Sequence, residues 1–161
     1  MSDSIKLKSQ PRGLMRWFLR MPIWFYRMHL GWLLGNRFIM LHHIGRKSGK
    51  IRYAVIEVVD YDLEHNVYTV ASGWGTQSDW YRNILKNPDV VVSTHKGDIE
   101  AQAVVLPVQE GALALKDYAR RNPTAFRSIA KFVLEPEVNT GDINIDEIAE
   151  VMPVLRLVPT S

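Results

Sequence analysis

A chain of 161 residues, 47% hydrophobic and 23% charged, is long enough for one domain with a real core and too short for two comfortable ones. It contains no cysteine, which excludes disulfides, thiolate metal sites and cysteine nucleophiles and suits a cytoplasmic protein. The net charge of +3 hides an asymmetry: residues 1–52 carry eleven Lys/Arg and one acid, a net +10, and the remainder carries nine against sixteen, a net −7. The N-terminal part is therefore matched to an anionic partner such as a membrane surface, a nucleic acid or a phosphorylated ligand.

Residues 1–10 are polar. From Gly13 to Met28 the cations Arg16, Arg20 and Arg27 interleave with Leu14, Trp17, Phe18, Met21, Trp24, Phe25 and Met28, and Pro22 breaks or kinks the helix. Two readings stand: a basic amphipathic helix on an anionic bilayer surface, or a helix packed on the domain with its cations in solvent. Arg16, Arg20, Arg27, His29 and Arg37 interrupt the apolar run too often for a membrane span, and no signal-peptide cleavage pattern follows it. The reading is therefore a cytoplasmic chain, peripheral to the membrane if residues 13–28 touch it. An N-terminal segment 1–36 precedes a β-rich domain 37–161.

In that domain, Arg37–Ile44 reads as a short strand and Ile51–Val59 as a β-branched one, with a turn over Asp60–Asn66 and a third strand over Val67–Ser72. Gly73-Trp74-Gly75 leads to a helix with Thr76 as cap and Asp79 completing a capping box, which stops at Asn87-Pro88. Val90–Thr94 and Ile99–Leu106 form a hairpin. Helices follow over 109–121 and from Pro123 to Leu134, then a polar loop over 135–144, a short helix over 145–151 and a closing strand over Val154–Val158. The pattern is a small, mostly antiparallel β-barrel with inserted and appended helices.

The densest chemistry lies at Gly45-Arg46-Lys47-Ser48-Gly49-Lys50, with Arg52 just beyond. Glycine permits tight curvature, and amides with Arg/Lys heads supply charge-assisted donors, so the turn suits phosphate or carboxylate groups. It is not a P-loop: three residues separate its glycines, Ile51 takes the hydroxyl position and a strand follows. A second anion-seeking element is Ala71-Ser72-Gly73-Trp74-Gly75-Thr76, where a strand ends in glycines and a helix begins. The alternative for the turn is a solvated basic hairpin tip.

No metal site is expected. His42 and His43 are adjacent in a strand and point to opposite faces, and His29, His65 and His95 lack ligand spacing. No GxSxG signature occurs. Tyr53, Tyr81 and Tyr118 can donate a proton, yet a buried tyrosine is more often structural. An enzyme built from these parts borrows its chemistry from an organic cofactor.

Gly45–Gly49 with Arg52, Val70-Ala71-Ser72-Gly73, Trp80-Tyr81-Arg82-Asn83-Ile84-Leu85 and Asn87-Pro88-Asp89-Val90 together resemble the deazaflavin-dependent nitroreductase family. The resemblance is specific from about Leu41 to Val92. It implies an α+β, mainly β, split β-barrel similar to FMN-binding, pyridoxamine-phosphate-oxidase-like proteins. It also implies the 8-hydroxy-5-deazaflavin coenzyme F420, with FMN or FAD on the same barrel as the alternative. By resemblance Arg46, Lys47, Ser48, Gly49 and Arg52 hold the cofactor's phosphate and acidic tail, and Ser72, Gly73, Trp74, Trp80 and Asn83 line the ring and its linker.

The implied reaction is hydride transfer to a lipophilic, quinone-like acceptor, with no assigned catalytic residue beyond the candidates Ser72 and Tyr118. A homodimer is implied as well. Two departures stand out: Gly73 and Trp74 replace the lysine that nitroimidazole-activating members carry after the serine. Asn122, Ala125, Phe126 and Ile129 replace their tyrosines, which makes the pocket more apolar and nitroimidazole reduction doubtful. The competing class is a non-catalytic binder of the cofactor or of a fatty acid. Nucleic-acid binding ranks last, because the cations gather at one tip and one helix rather than along a stripe with stacking aromatics.

Overall fold

The computed structural model describes residues 6–8, 37–134 and 143–161; the expected amphipathic helix at 13–28 and most of the expected loop at 135–144 lie outside them. Six strands, β1 (Phe38–Ile44), β2 (Ile51–Asp62), β3 (Val67–Ala71), β4 (Asp89–Thr94), β5 (Gly97–Val105) and β6 (Val154–Pro159), close into an antiparallel barrel in the order β1-β2-β3-β6-β5-β4. This is the split barrel expected from the resemblance. Helix α1 (Asp79–Lys86) sits between β3 and β4, and α2 (Val108–Arg121), α3 (Pro123–Val133) and α4 (Ile145–Val151) between β5 and β6.

Strand alternation divides the apolar residues between two cores. Ile39, Leu41, Ile56, Val58, Val70, Val92, Leu155 and Leu157 fill the barrel interior, and Tyr81 and Ile84 of α1 close one end of it. On the outer face of β2 and β6, Val59 and Val154 pack against Ala112, Leu115 and Tyr118 of α2, Ile148 of α4 and Met152 just after it. The register of β2 on β3 slips between Val58 and Asp60. That bulge adds Val59 as an extra residue and resets the alternation beyond it, so that Tyr61 rather than Asp60 packs on the barrel core. Burial of each such side chain contributes about 1.5–3 kcal/mol.

β2 runs three residues past the expected end at Val59, because Asp62 rather than Asp60 makes the turn: its carboxylate accepts from the amides of Glu64 and His65, and Asn66 takes φ 56°. The expected start of α1 also needs correction. Gly75–Gln77 form a separate 3-10 turn that includes Thr76, and Ser78 occupies the N-cap without a side-chain capping bond. Ser78 Oγ is instead 2.8 Å from Ser72 Oγ. Among the other helices, α4 is capped by Asn144, which accepts from the Asp146 amide, whereas α2 and α3 have no side-chain capping bond.

Gly75 locks the entry to α1. Its φ is +67°, and a Cβ there would lie 2.8 Å from the Val151 carbonyl oxygen and 2.9 Å from Leu7 Cδ1. Gly75→Ala is expected to lower stability by roughly 1–3 kcal/mol, the usual cost of a strained left-handed residue, with backbone crowding added. Urea unfolding reads this directly, and a midpoint within error of the parent would contradict it.

Candidate functional site

The basic turn closes on itself. The Gly45 amide donates to the Lys50 carbonyl and the Gly49 amide to the Gly45 carbonyl, both at 2.8 Å, with Gly49 at φ +67°. Arg46 folds back onto α1: Nη1 donates to Asn83 Oδ1 at 2.8 Å, Nη2 to Asp79 Oδ1 at 3.1 Å, and its amide to Asn83 Oδ1 at 3.0 Å. Lys86 Nζ donates to the Arg46 carbonyl at 3.1 Å. A ligand would reach Arg46 only by displacing these bonds. Lys47, Ser48, Gly49, Lys50 and Arg52 are exposed, and among the described residues no carboxylate pairs with Lys47, Lys50 or Arg52.

Asn83 is 4% exposed and makes a further bond, donating from Nδ2 to His43 Nδ1 at 3.0 Å. Burial first, and then the nearby Arg52, push the His43 pKa down to about 4. His43 therefore stays neutral near pH 7, with Nδ1 as an acceptor and the proton on Nε2.

Ser72 is fully buried, donates to the Gly75 carbonyl at 2.7 Å and shares a hydrogen bond with Ser78 Oγ. Its hydroxyl thus shapes the loop from within. Gly73 and Trp74, the next two residues, reach the neighbouring cavity, and so does Trp80 of α1.

This cavity, of about 190 Å³, lies between the outer face of β2 and the helices. Its lining is apolar, with Val55, Val59, Leu115, Phe126, Ile129 and Met152 among the contributors. Phe126 and Ile129 stand where sequence comparison expected apolar substitutes, whereas Asn122 and Ala125 border a separate polar cleft with Arg37 and Arg121. Glu57 and Tyr118 are the only oxygen-bearing side chains among the described residues that line the cavity.

Tyr118 Oη donates to Glu57 Oε1 at 2.5 Å, and Arg37 Nε donates to the same oxygen at 2.8 Å. Burial and then the Glu57 carboxylate push the Tyr118 pKa well above the usual phenol value, so its proton is held. Sequence reasoning named Tyr118 and missed Glu57. The available signal was a lone acid inside the apolar run Val55-Ile56-Glu57-Val58-Val59, at an outward-facing position.

Turn and cavity are connected. Arg52 and Val55 are three residues apart on β2, about 10 Å by strand rise. On α1, Asp79 holds Arg46 and the adjacent Trp80 borders the cavity. Exposed cations at one end and an aromatic-edged apolar cavity at the other match an elongated ligand with an anionic tail and a flat ring. His42, Ser93 and Asp98 form a separate chain, with Ser93 Oγ 2.8 Å from His42 Nε2 and 2.5 Å from Asp98 Oδ1, and among the described residues no group of three or more acids or histidines could hold a metal ion.

With this geometry in view, the chain belongs to the F420H2-dependent quinone reductase family, whose model matches residues 17–133. The cofactor that this membership supports is coenzyme F420. Among solved structures, the conserved hypothetical protein Rv2991 from Mycobacterium tuberculosis is similar at a TM-score of 0.54 and 13% identity, with 84% of this chain and 80% of that one covered. The heme storage protein HutZ from Vibrio cholerae is similar at 0.52 and 12% identity, with 89% and 91% covered. At these identities the likeness shows the fold alone.

A curated relative, the acetyl-coenzyme A carboxylase carboxyl transferase subunit alpha of Chlamydia trachomatis serovar L2, is 30% identical over 109 residues, which is 66% of this chain and 32% of that protein. The chain thus spans about a third of that relative's length, and nothing of its activity is carried over.

The buried histidine yields a prediction with a definite sign. A folded pKa depressed from 6.5 to about 4 means that the unfolded chain binds the proton first as pH falls. Stability contributed by neutral His43 is therefore fully present above about pH 6.5 and lost progressively towards pH 4, by roughly 2–3 kcal/mol. His43→Gln removes this titration, so urea-derived stability should fall less over that window than in the parent. Parallel curves for the two proteins would contradict the assignment.

Proposed function

We propose that this protein transfers hydride from reduced coenzyme F420 to a lipophilic ring acceptor of the quinone type. The observation that carries the reading is the apolar cavity edged by Trp74, Trp80 and Tyr118, joined through β2 and α1 to a turn whose Lys47, Lys50 and following Arg52 have no carboxylate partner among the described residues. At about 190 Å³ the cavity is smaller than the roughly 300–1,000 Å³ of pockets that enclose whole drug-sized ligands. It suits the end of a flat ring system and leaves an anionic tail outside, where Lys47, Ser48, Gly49, Lys50 and Arg52 lie.

The bound deazaflavin supplies the hydride; the chain's own residues bind, orient and exclude water. Lys47 and Arg52 would hold phosphate and carboxylates by charge-assisted bonds. Arg46, Asp79 and Asn83 fix the turn against α1, so those cations keep their place relative to Trp80. Gly73 and Trp74 would approach the ring from the loop that Ser72 stiffens. An apolar lining favours acceptors without charge, and alignment of donor and acceptor in one cavity removes much of the entropic barrier. Nitro compounds fit the same reaction but find few polar partners in this lining.

Lys47→Ala with Arg52→Ala is expected to weaken F420 binding by about 10- to 100-fold, at roughly 1.5–3 kcal/mol for each hydrogen bond to a charged group before solvent screening. The ratio of turnover with different quinones should stay constant. Titration of cofactor fluorescence, at low and at high salt, tests the first claim, and steady-state assays with menadione and a longer-tailed quinone test the second. Unchanged cofactor affinity in the double variant would remove the basic turn from the site.

A further inference from the structure

Hydride transfer to a quinone is half of the chemistry: the product anion still needs a proton, and the cavity that would hold it is lined almost wholly by carbon. Only Glu57 and Tyr118 bring oxygen to it among the described residues. Tyr118 Oη donates to Glu57 Oε1, which also accepts from Arg37 Nε; no described residue bonds Glu57 Oε2. The side chain of Glu57 is 17% exposed and that of Arg37 57% exposed, so the pair leads from the cavity to solvent. Resting on the functional reading above, we propose that Glu57 and Tyr118 form a proton relay, in which Glu57 loads a proton from water and passes it through the Tyr118 hydroxyl to the oxygen of the reduced acceptor.

The step balances. The acceptor ring gains a hydride, two electrons and one proton, from the reduced deazaflavin. Its oxygen anion then takes the Tyr118 proton, forming one O–H bond as the phenolic O–H breaks. The protonated Glu57 carboxyl returns a proton to the phenolate oxygen, and water reloads Glu57. Arg37 favours the ionised form of Glu57, so Glu57 takes a proton from water only as Tyr118 gives up its own. Arg37 is the cation on Glu57, and the Phe126, Ile129, Ile148 and Met152 side chains from α3, α4 and the residue that follows α4 bring no charge. Arg121 on α2 is engaged by Asp117, Asp60 and the Val59 carbonyl. Part of what holds the Tyr118 proton is the negative charge on Glu57, so protonation of Glu57 frees Tyr118 to donate.

Glu57→Gln keeps the shape and can still accept from Tyr118, but carries no transferable proton. With the cofactor-loaded full-length protein and menadione, this variant should lose about tenfold or more in kcat, within the range for a positioned general acid. The solvent deuterium isotope effect on the parent's kcat should be absent from it. Glu57→Asp should restore that effect at reduced rate. Binding of menadione to the cofactor-free protein, read by quenching of tryptophan fluorescence from Trp74 and Trp80, should be unchanged in both variants. A Glu57→Gln protein with parental kcat and solvent isotope effect overturns the relay alone, and so does one whose lost activity is matched by lost menadione binding. Absence of quinone turnover in the parent protein overturns the functional reading, and the relay with it.

Discussion

One amide side chain carries the geometry of this molecule. Asn83 accepts from both the amide and the guanidinium of Arg46 and donates to His43, so a single buried group ties the basic turn, strand β1 and helix α1 together. Only a side chain that both donates and accepts can make that set, and a buried polar group left without partners costs about 1–3 kcal/mol. Asp79 adds a second hold on Arg46 from the first turn of α1, and Lys86 a third from its last turn. The helix can then plug the barrel end with Tyr81 and Ile84 while presenting Trp80 to the outer cavity. If α1 shifted, the turn, the barrel end and the cavity would all move with it.

Strand β2 does the complementary work along its length. Its twelve residues begin in the basic turn, fill the barrel with Ile56 and Val58, and wall the cavity with Val55, Glu57 and Val59. The bulge at its far end resets the alternation, so that Tyr61 returns to the barrel core and Asp60 to solvent. A chain of this size gains two apolar clusters from one sheet, and the cavity lies where the outer cluster is incompletely filled. Rigid strands hold a site more closely than loops do, and here the loop that contributes, after β3, is pinned by Ser72 to Gly75 and Ser78.

The strands could be read from the sequence to within about three residues at their ends, because period-two alternation and β-branched runs are local properties. Side-chain partnerships could not. Arg46 meets Asn83 across 37 positions, and Tyr118 meets Glu57 across 61, so nothing in the spacing of either pair signals contact. Arg46 therefore reads in sequence as one more cation of an anion-holding turn, although it spends its donors on α1. Ser72 reads as a residue facing a ligand, although its hydroxyl is turned into the loop. The start of α1 was misplaced for a related reason: the hydroxyl of Ser78 had a tertiary partner in Ser72, and Thr76 was drawn into a 3-10 turn. Glu57 escaped notice because a single acid in a strand is ordinary until the lining around it is known to be apolar.

The charge asymmetry of the chain acquires a physical sense from this arrangement. Cations that pair with protein carboxylates, such as Arg37 and Arg121, sit beside the helices, whereas Lys47, Lys50 and Arg52 stand at the tip without such partners among the described residues. These cations at one end and a cavity lined by carbon apart from Glu57 and Tyr118 at the other separate two tasks that would interfere if mixed. A charge near the ring would oppose entry of an apolar acceptor, and an apolar tip would release an anionic tail. A cofactor that brings its own hydride asks little of side chains at the reacting carbon. What an apolar cavity lacks is a proton, and Glu57 with Tyr118 is the place on this wall where the fold departs from carbon.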